Sequence, residues 1–382
     1  MSKPKLIRIT TVPQSLAILL KGQLGFMKQH FDVIGISSKS ALLQEVEKNE
    51  GVRTLSVNMT RQITPIKDFV ALYKLYKILK SEKPYIVHTH TPKAGLLGMI
   101  ASYLAKVPNR LHTIAGLPVM EAKGLKRHIL LAVEKITYAC ATKVYPNSKG
   151  LQDFVLEQKL ITKTKLRIIG KGSSNGIDTN YFNKSNFNES DLLNLKETLK
   201  VTSNDFVYIF VGRLVTDKGI NEMVEAFSTI SKDNSCVKLL LVGPLESDLD
   251  PLQSFTLNQI ETNNQIISVG FQKDVRPYLA ISNALVFPSY REGFPNVVMQ
   301  AGAMGLPAIV SNINGCNEII ENNFNGLIIP TKDSGLLKEK MELILKNSDL
   351  CKKMSANSRQ KIVVNYNQKY IWEELLQEYK KL

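Results

Sequence analysis

Short apolar runs alternate with stretches of helical periodicity, and the alternation runs twice along the chain. In the first half, apolar runs at 6–11, 32–37, 85–90, 110–113 and 143–147 read as strands. Between them, 15–29, 40–47, 66–80, 93–105 and 124–138 carry apolar residues at helical spacing. The pattern restarts after residue 195, with strands at 205–211, 237–242, 266–269, 284–287, 308–310 and 327–329 and helices, such as 220–231, between them. Strands separated by helices need crossovers, and crossovers give parallel sheets. The chain is therefore expected to be α/β, with two doubly wound, Rossmann-like halves. Its 382 residues suit two domains. The stretch 173–190, rich in Asn, Gly, Ser and Asp, lacks periodicity and reads as the connector. This sets an N-terminal domain at 1–180 and a C-terminal domain at 181–365. The last helical segment, about 366–382 with Tyr370, Trp372, Leu375, Leu376 and Tyr379, is expected to pack back across onto the N-terminal domain.

With 44% hydrophobic and 22% charged residues the chain is not intrinsically disordered. Cys140, Cys236, Cys316 and Cys351 are far apart and form no CxxC, which argues against a disulfide framework or structural zinc and for a reducing compartment. The start, MSKPKLIRIT, has no apolar core or cleavage site of a signal peptide behind it, and no window is long and apolar enough for a transmembrane helix.

Charge is unevenly spread. Residues 1–178 hold 28 Lys and Arg against 11 Asp and Glu, net +17, whereas 179–382 hold 21 against 23, net −2. A positive field confined to one half suits an anionic partner there: lipid head groups, a phosphorylated lipid or nucleic acid. Solubility alone is the plainer explanation. No recognised nucleic-acid module or aromatic-basic interleaving is present.

In parallel α/β sheets, ligands sit beyond the carboxyl ends of strands, at helix N-termini. Two such sheets facing each other place the natural site in the cleft between them. Two segments fit. The first is VGRLVTDKG at 211–219, between a strand and a helix. Gly212 lets backbone approach a ligand, and Arg213 and Lys218 put two cations at the sheet edge, a geometry that suits a diphosphate. A surface turn with solvated charges is the alternative. The second is PSYREGFPNVVMQA at 288–301. Glu292 lies in a Gly/Pro-rich turn, free to orient sugar hydroxyls. The helix starting near Asn296 offers open N–H groups to an anion, and Gln300 lies one turn further on.

Weaker candidates accompany these. His88 and His90 end a strand on one face; His88 reads as a hydrogen-bonded core-edge histidine, His90 as either that or a cleft residue. Lys93, opening the next helix, could meet an acceptor phosphate or be merely solvated. Glu246-Ser247-Asp248-Leu249-Asp250 contains a DxD, read here as a solvated loop rather than a metal site. Lys123, Lys126 and Arg127 stand beside apolar residues at a helix start, which suits either a membrane surface or an amphipathic helix entering the core.

The two main blocks, in this order and spacing, resemble those of family 4 glycosyltransferases of the GT-B fold. So do VYPNS at 144–148, SNGID at 174–178 with Phe182, VGF at 269–271, and NGCNEII at 314–320 followed by Asn325-Gly326. THTPKAG at 89–95 and TIAGLP at 113–118 are similar to enzymes of capsule, O-antigen and lipid-linked glycan assembly. The resemblance implies a retaining, metal-independent enzyme with no cofactor, the nucleotide sugar being a substrate. It implies catalytic roles for Arg213, Lys218 and Glu292, with His90 as a further candidate. It implies donor binding by Gly212, Gly270, Phe271, Gly293, Phe294, Asn296, Val297 and Gln300, and acceptor or membrane contacts by Lys93, Lys123, Lys126 and Arg127. Gln300 stands where the family's second acid binds the ribose. The swap keeps an acceptor oxygen but trades a charged bond for a neutral one, roughly 1.5–3 against 1 kcal/mol. Ala115 stands where many relatives have a histidine, and the first strand ends in TTVPQS at 10–15 rather than a Gly-Gly turn.

The expected function is transfer of a hexose or N-acetylhexosamine from a nucleotide sugar, UDP ranking ahead of GDP, to a polyprenyl-diphosphate-linked saccharide. The enzyme would be cytoplasmic and peripheral on the anionic inner-membrane surface, without a nucleic-acid partner. A nucleotide-sugar epimerase of the same architecture and a non-catalytic assembly subunit are the alternatives.

Overall fold

The computed structural model describes residues 3–382 apart from 61, 121, 247 and 249. The chain forms two compact units, one running to Asn175 and rejoined by Lys369–Leu382, the other Gly176–Gln368. The first holds β1 (Lys5–Ile9), β2 (Asp32–Ser37), β3 (Arg53–Ser56), β4 (Ile86–His90), β5 (Asn109–Ile114) and β6 (Lys143–Pro146), in the order β3-β2-β1-β4-β5-β6. The second holds β7 (Phe206–Val211), β8 (Val237–Val242), β9 (Ile266–Ser268), β10 (Ala284–Phe287), β11 (Ala308–Ser311) and β12 (Gly326–Ile329), in the order β12-β11-β10-β7-β8-β9. All described pairings within both sheets are parallel. Both units thus have the same winding. The strand order reverses between β1 and β4 in one and between β7 and β10 in the other, and these two switch points are where such sheets open a crevice.

Burial on both faces explains the strand sequences. FVYIFV in β7 and VKLLLV in β8 are nearly continuous apolar runs, with Tyr208 to Phe210 and Leu239 to Leu241 fully buried. Helix starts carry their own signals. The side chains of Ser40, Ser148 and Asp333 accept from the N–H of Leu43, Leu151 and Leu336, and Pro65 and Pro92 occupy first helical turns.

Three local expectations change. The segment 15–29 is not one helix: a π-turn over Ser15–Leu19 is followed by a separate helix Gln23–Lys28. The break is held by Glu50, whose carboxylate accepts from the N–H groups of Gly22 (2.6 Å) and Gly25 (2.8 Å). Strand β3 carries no strand signal in the sequence, because RTLS is a half-exposed edge with no apolar run. The helix Lys149–Glu157 has a weak sequence signal, because it buries only Leu151 and Val155.

The first unit's sheet encloses an arginine and imidazole side chains, whereas the fully buried residues of β7 and β8 are aliphatic or aromatic. Arg8, in the middle of β1, is fully buried. Its guanidinium meets Gln23 Oε1 (2.5 Å), His90 Nε2 (2.7 Å) and the Tyr379 hydroxyl (3.1 Å), with no carboxylate among them. Tyr379 belongs to the final helix, Gln368–Lys380, whose Ile371, Leu375 and Leu376 pack in the same cluster as Leu6, Leu16 and Ile86. Trp372 Nε1 donates to Asn175 Oδ1 (2.6 Å), which also accepts from Gln23 Nε2 (2.9 Å).

Candidate active site

The second unit's switch point is built from two loops that touch. The loop after β7 carries Gly212, Arg213 and Lys218; the loop after β10 carries Glu292. Gly219 has φ +70°, and a Cβ there would collide with the Pro288 carbonyl oxygen, so only glycine lets the loops approach this closely. Tyr290 N–H donates to the Asp217 carbonyl (2.8 Å), and the Arg291 guanidinium grips Asp217 Oδ2 at 2.6 and 2.9 Å. These bonds place the Lys218 ammonium 2.5 Å from Glu292 Oε1, both side chains under one-fifth exposed. Ser289 Oγ also donates to that oxygen at 3.2 Å. Arg213 is more open: it is half exposed and its Nη1 meets Glu246 Oε2 at 2.8 Å, a contact that favours the charged guanidinium.

The donor-binding candidates surround this edge. Gly212 N–H continues the ladder to the Val242 carbonyl (2.9 Å), and Gly270, after β9, accepts from Gly243 N–H (2.9 Å). Phe271 beside it is 74% exposed, an aromatic face without a cover in its own unit. The Gly293 carbonyl is held by Asn314 Nδ2 (2.6 Å). Phe294 is 8% exposed and packs on Tyr366, so its ring serves the core. Asn296 and Val297 open the helix Asn296–Ala303, whose N-cap is Pro295, and their N–H groups have no acceptor within the helix. The side chains of Asn296 and Gln300 are half-buried and hydrogen-bond to no described residue. Cys316 is buried, and burial with Glu292 nearby pushes its thiol well up, so it stays protonated.

Sequence reasoning missed how the Asp-rich loop works. Asp250 Oδ2 accepts from Asp217 N–H (2.7 Å), and Glu246 takes Arg213, so these two acids support the site loop rather than standing free in solvent. The signal was the net negative charge of 246–250 opposite a cationic loop.

The first-unit candidates differ in kind. His90 is 1% exposed; its Nε2 faces Arg8 and its Nδ1 has no described partner. Burial, then Arg8, hold His90 well below the ordinary histidine range. His88 is also buried, bonded to the Tyr379 hydroxyl (2.5 Å) and Thr113 Oγ1 (2.7 Å). Lys93 is not merely solvated: it is bound to both Asp68 oxygens at 2.7 Å and to the Gln62 carbonyl. Arg127 turns inward to the Val119 carbonyl (2.9 Å) and Gln158 (3.1 Å), whereas Lys123 and Lys126 are exposed.

Comparison with known proteins agrees with this architecture. The family "Glycosyl transferases group 1" matches residues 193–361, and "Glycosyl transferase 4-like" matches 18–148. The capsular polysaccharide biosynthesis glycosyltransferase CapM of Staphylococcus aureus is 32% identical over 98% of this chain and 96% of its own. The UDP-Gal:alpha-D-GlcNAc-diphosphoundecaprenol alpha-1,3-galactosyltransferase of Escherichia coli is 31% identical over 89% of this chain and 86% of its own. Among solved structures, Anabaena HepE in complex with UDP and glucose superposes with a TM-score of 0.83 at 16% identity, over 99% of this chain and 100% of that one. The chain belongs to the group 1, family-4-like glycosyltransferases and has their GT-B type of fold, two doubly wound α/β units. It is a glycosyltransferase.

Proposed function

We propose that this enzyme is a retaining hexosyl- or N-acetylhexosaminyltransferase that uses a UDP-sugar and elongates a polyprenyl-diphosphate-linked saccharide at the cytoplasmic face of the membrane. The observation that carries the reading is the pair of cations, Arg213 and Lys218, fixed at the β7 edge beside Glu292 and the open N–H groups of Asn296 and Val297. The names of the Staphylococcus and Escherichia relatives support the surface-glycan role, and the UDP named for the Escherichia and Anabaena proteins supports the donor.

In this reading the bond from the anomeric carbon to the diphosphate oxygen breaks as the acceptor hydroxyl oxygen bonds that carbon from the same face. The hydroxyl proton passes to the departing diphosphate. Negative charge grows on the diphosphate, and Arg213, Lys218 and the helix N–H groups meet it already oriented, with no divalent ion required. Glu292 Oε1 is engaged by Lys218, which leaves Oε2 for the sugar hydroxyls. Gln300, one turn after Asn296, offers its amide to the ribose.

A panel of UDP- and GDP-sugars with undecaprenyl-diphosphate-linked N-acetylglucosamine tests the proposal. A labelled lipid product from one UDP-sugar, unchanged by EDTA, is expected. Arg213→Ala should lower turnover by about 100-fold or more, the effect of losing one preorganised donor. Near-normal turnover by that variant would remove Arg213 from its role. Conversion of UDP-N-acetylglucosamine without any acceptor would replace the reading by an epimerase.

A further inference from the structure

We infer that the N-terminal half of the helix Pro65–Glu82 is the main element by which this enzyme seats in an anionic lipid surface, together with the start of the helix Gly124–Cys140. The inference rests on the lipid-linked acceptor proposed above and names the surface that meets the lipid. Phe69, Val70 and Tyr73 are among the apolar residues at helical spacing in the segment 66–80. The structure buries a different face, Ala71, Leu75 and Leu79. Ile66 is 84% exposed, Phe69 71%, Val70 47% and Tyr73 52%. These positions, spaced i, i+3, i+4 and i+7, form a second apolar stripe. Ile63, just before the helix, is equally bare at 71%. The stripe occupies only the first turns, at the end where the chain leaves the carboxyl edge of the sheet. At that same edge the second helix exposes Leu125 (77%) and Ile129 (47%), and Met120 precedes it at 42%.

The charges identify the occupant. Lys67, Lys74 and Lys77 are exposed beside the stripe, and Lys77 lies over the Tyr73 ring at 4.7 Å. The second helix has no acid in its first turn; Lys123 and Lys126 stand there instead. Cations at a helix N-terminus oppose the helix dipole, and bare aromatic and aliphatic side chains oppose solvation. Neither feature helps the fold. An anionic bilayer satisfies both, because apolar side chains enter the acyl boundary while the lysines reach phosphate head groups. Asp68, on the same helix, holds Lys93, so the seated helix also fixes that lysine near the lipid surface.

Flotation of the full chain with vesicles of 30% phosphatidylglycerol in phosphatidylethanolamine tests this, with phosphatidylcholine vesicles as control. Wild type is expected to float with the anionic vesicles only, and less at high salt. Ile66→Ser with Phe69→Ser should weaken partitioning about tenfold or more. Phe69→Trp should add a blue-shifted emission with anionic vesicles. Both variants change exposed side chains, and nucleotide release from the donor should stay at the wild-type rate; loss of donor turnover in wild type as well would count against the enzymatic reading instead. Unchanged flotation of the double variant would overturn the inference, as would a concentration-dependent dimer that the same variant abolishes.

Discussion

The two switch points share one topology and are built from opposite materials. Between β1 and β4 the crevice is closed by hydroxyls: Thr11 Oγ1 and Thr91 Oγ1 lie 2.7 Å apart, and Thr11 Oγ1 accepts from Ala94 N–H at 3.1 Å. Between β7 and β10 it is lined by Lys218, Glu292 and, further out, Arg213. The interiors are reversed. The first sheet encloses Arg8, His88, His90 and His112, whereas the second is filled by residues such as Ile209, Phe210 and Leu240. Winding order therefore does not decide where charge goes. Charges enclosed in the first unit are consumed by the fold, tying β1 and β4 to the final helix. Charges at the second unit's edge keep partial exposure, so a ligand can exchange with their present partners.

That contrast breaks most directly at Lys218. Lys218→Ala should cut turnover by about 100- to 1,000-fold, the range for removing a group aimed at developing charge. The fluorescence-detected urea transition should not move, because the sole tryptophan, Trp372, belongs to the first unit. Turnover within threefold of wild type would mean that the edge is not where the chemistry occurs.

The first unit should instead show itself through pH. Burial raises Glu134, in the helix Gly124–Cys140, to about 7. The unfolded chain ionises this carboxyl near its ordinary value of 4.5, while the folded one keeps its proton until about 7. Stability from this group is thus full below 4.5 and lost as pH rises to about 7, a change on the order of 3 kcal/mol. The buried histidines act in the opposite sense. Burial holds His112 down at about 4 and His88 and His90 well below their usual range, so their contribution is lost as pH falls below about 6.5. Glu134→Gln isolates the carboxyl: its advantage over wild type in Trp372-detected unfolding should grow from pH 5 to pH 7.5. A constant difference would show that Glu134 titrates normally.

A smaller effect is expected at the final helix. Tyr379→Phe removes the hydroxyl that joins His88 Nδ1 to Arg8, and should cost about 1–2 kcal/mol in the same Trp372 transition. Turnover at saturating substrates should change little. An unshifted transition would show that the buried Arg8 network does not fasten the helix.

Legibility in the sequence followed the same division. Strands such as β8 and β10 could be read because burial on both faces demands apolar runs. The site loops could be read because Gly, Pro and paired cations sit where strands end. Arg8 could not: a lone arginine in KLIRI looks like an outward-facing residue, and only Gln23, His90 and Tyr379, distant in sequence, make its burial possible. The buried face of the helix Pro65–Glu82 could not be read for a related reason. Its apolar residues cover more than one face, and period alone does not say which face the sheet takes. The pairing of Glu246 with Arg213 was not legible because the two lie 33 residues apart, across two adjacent strand ends.

Glu246 gives the finest test of the contrast between enclosed and exchangeable charge. Its carboxylate occupies Arg213 at 2.8 Å, with the two side chains 39% and 49% exposed. A pair this open is worth about 0.2–1 kcal/mol, far less than a diphosphate gripped by the same guanidinium. Donor binding must displace Glu246, so its removal should help rather than harm. Glu246→Gln is expected to tighten UDP binding by roughly two- to fivefold at low ionic strength, with turnover near wild type, and added salt should shrink the gain as it screens the pair. The opposite result, weaker UDP binding, would mean that Glu246 holds the Arg213 loop in its binding shape, which would make this edge a structural charge pair like those of the first unit.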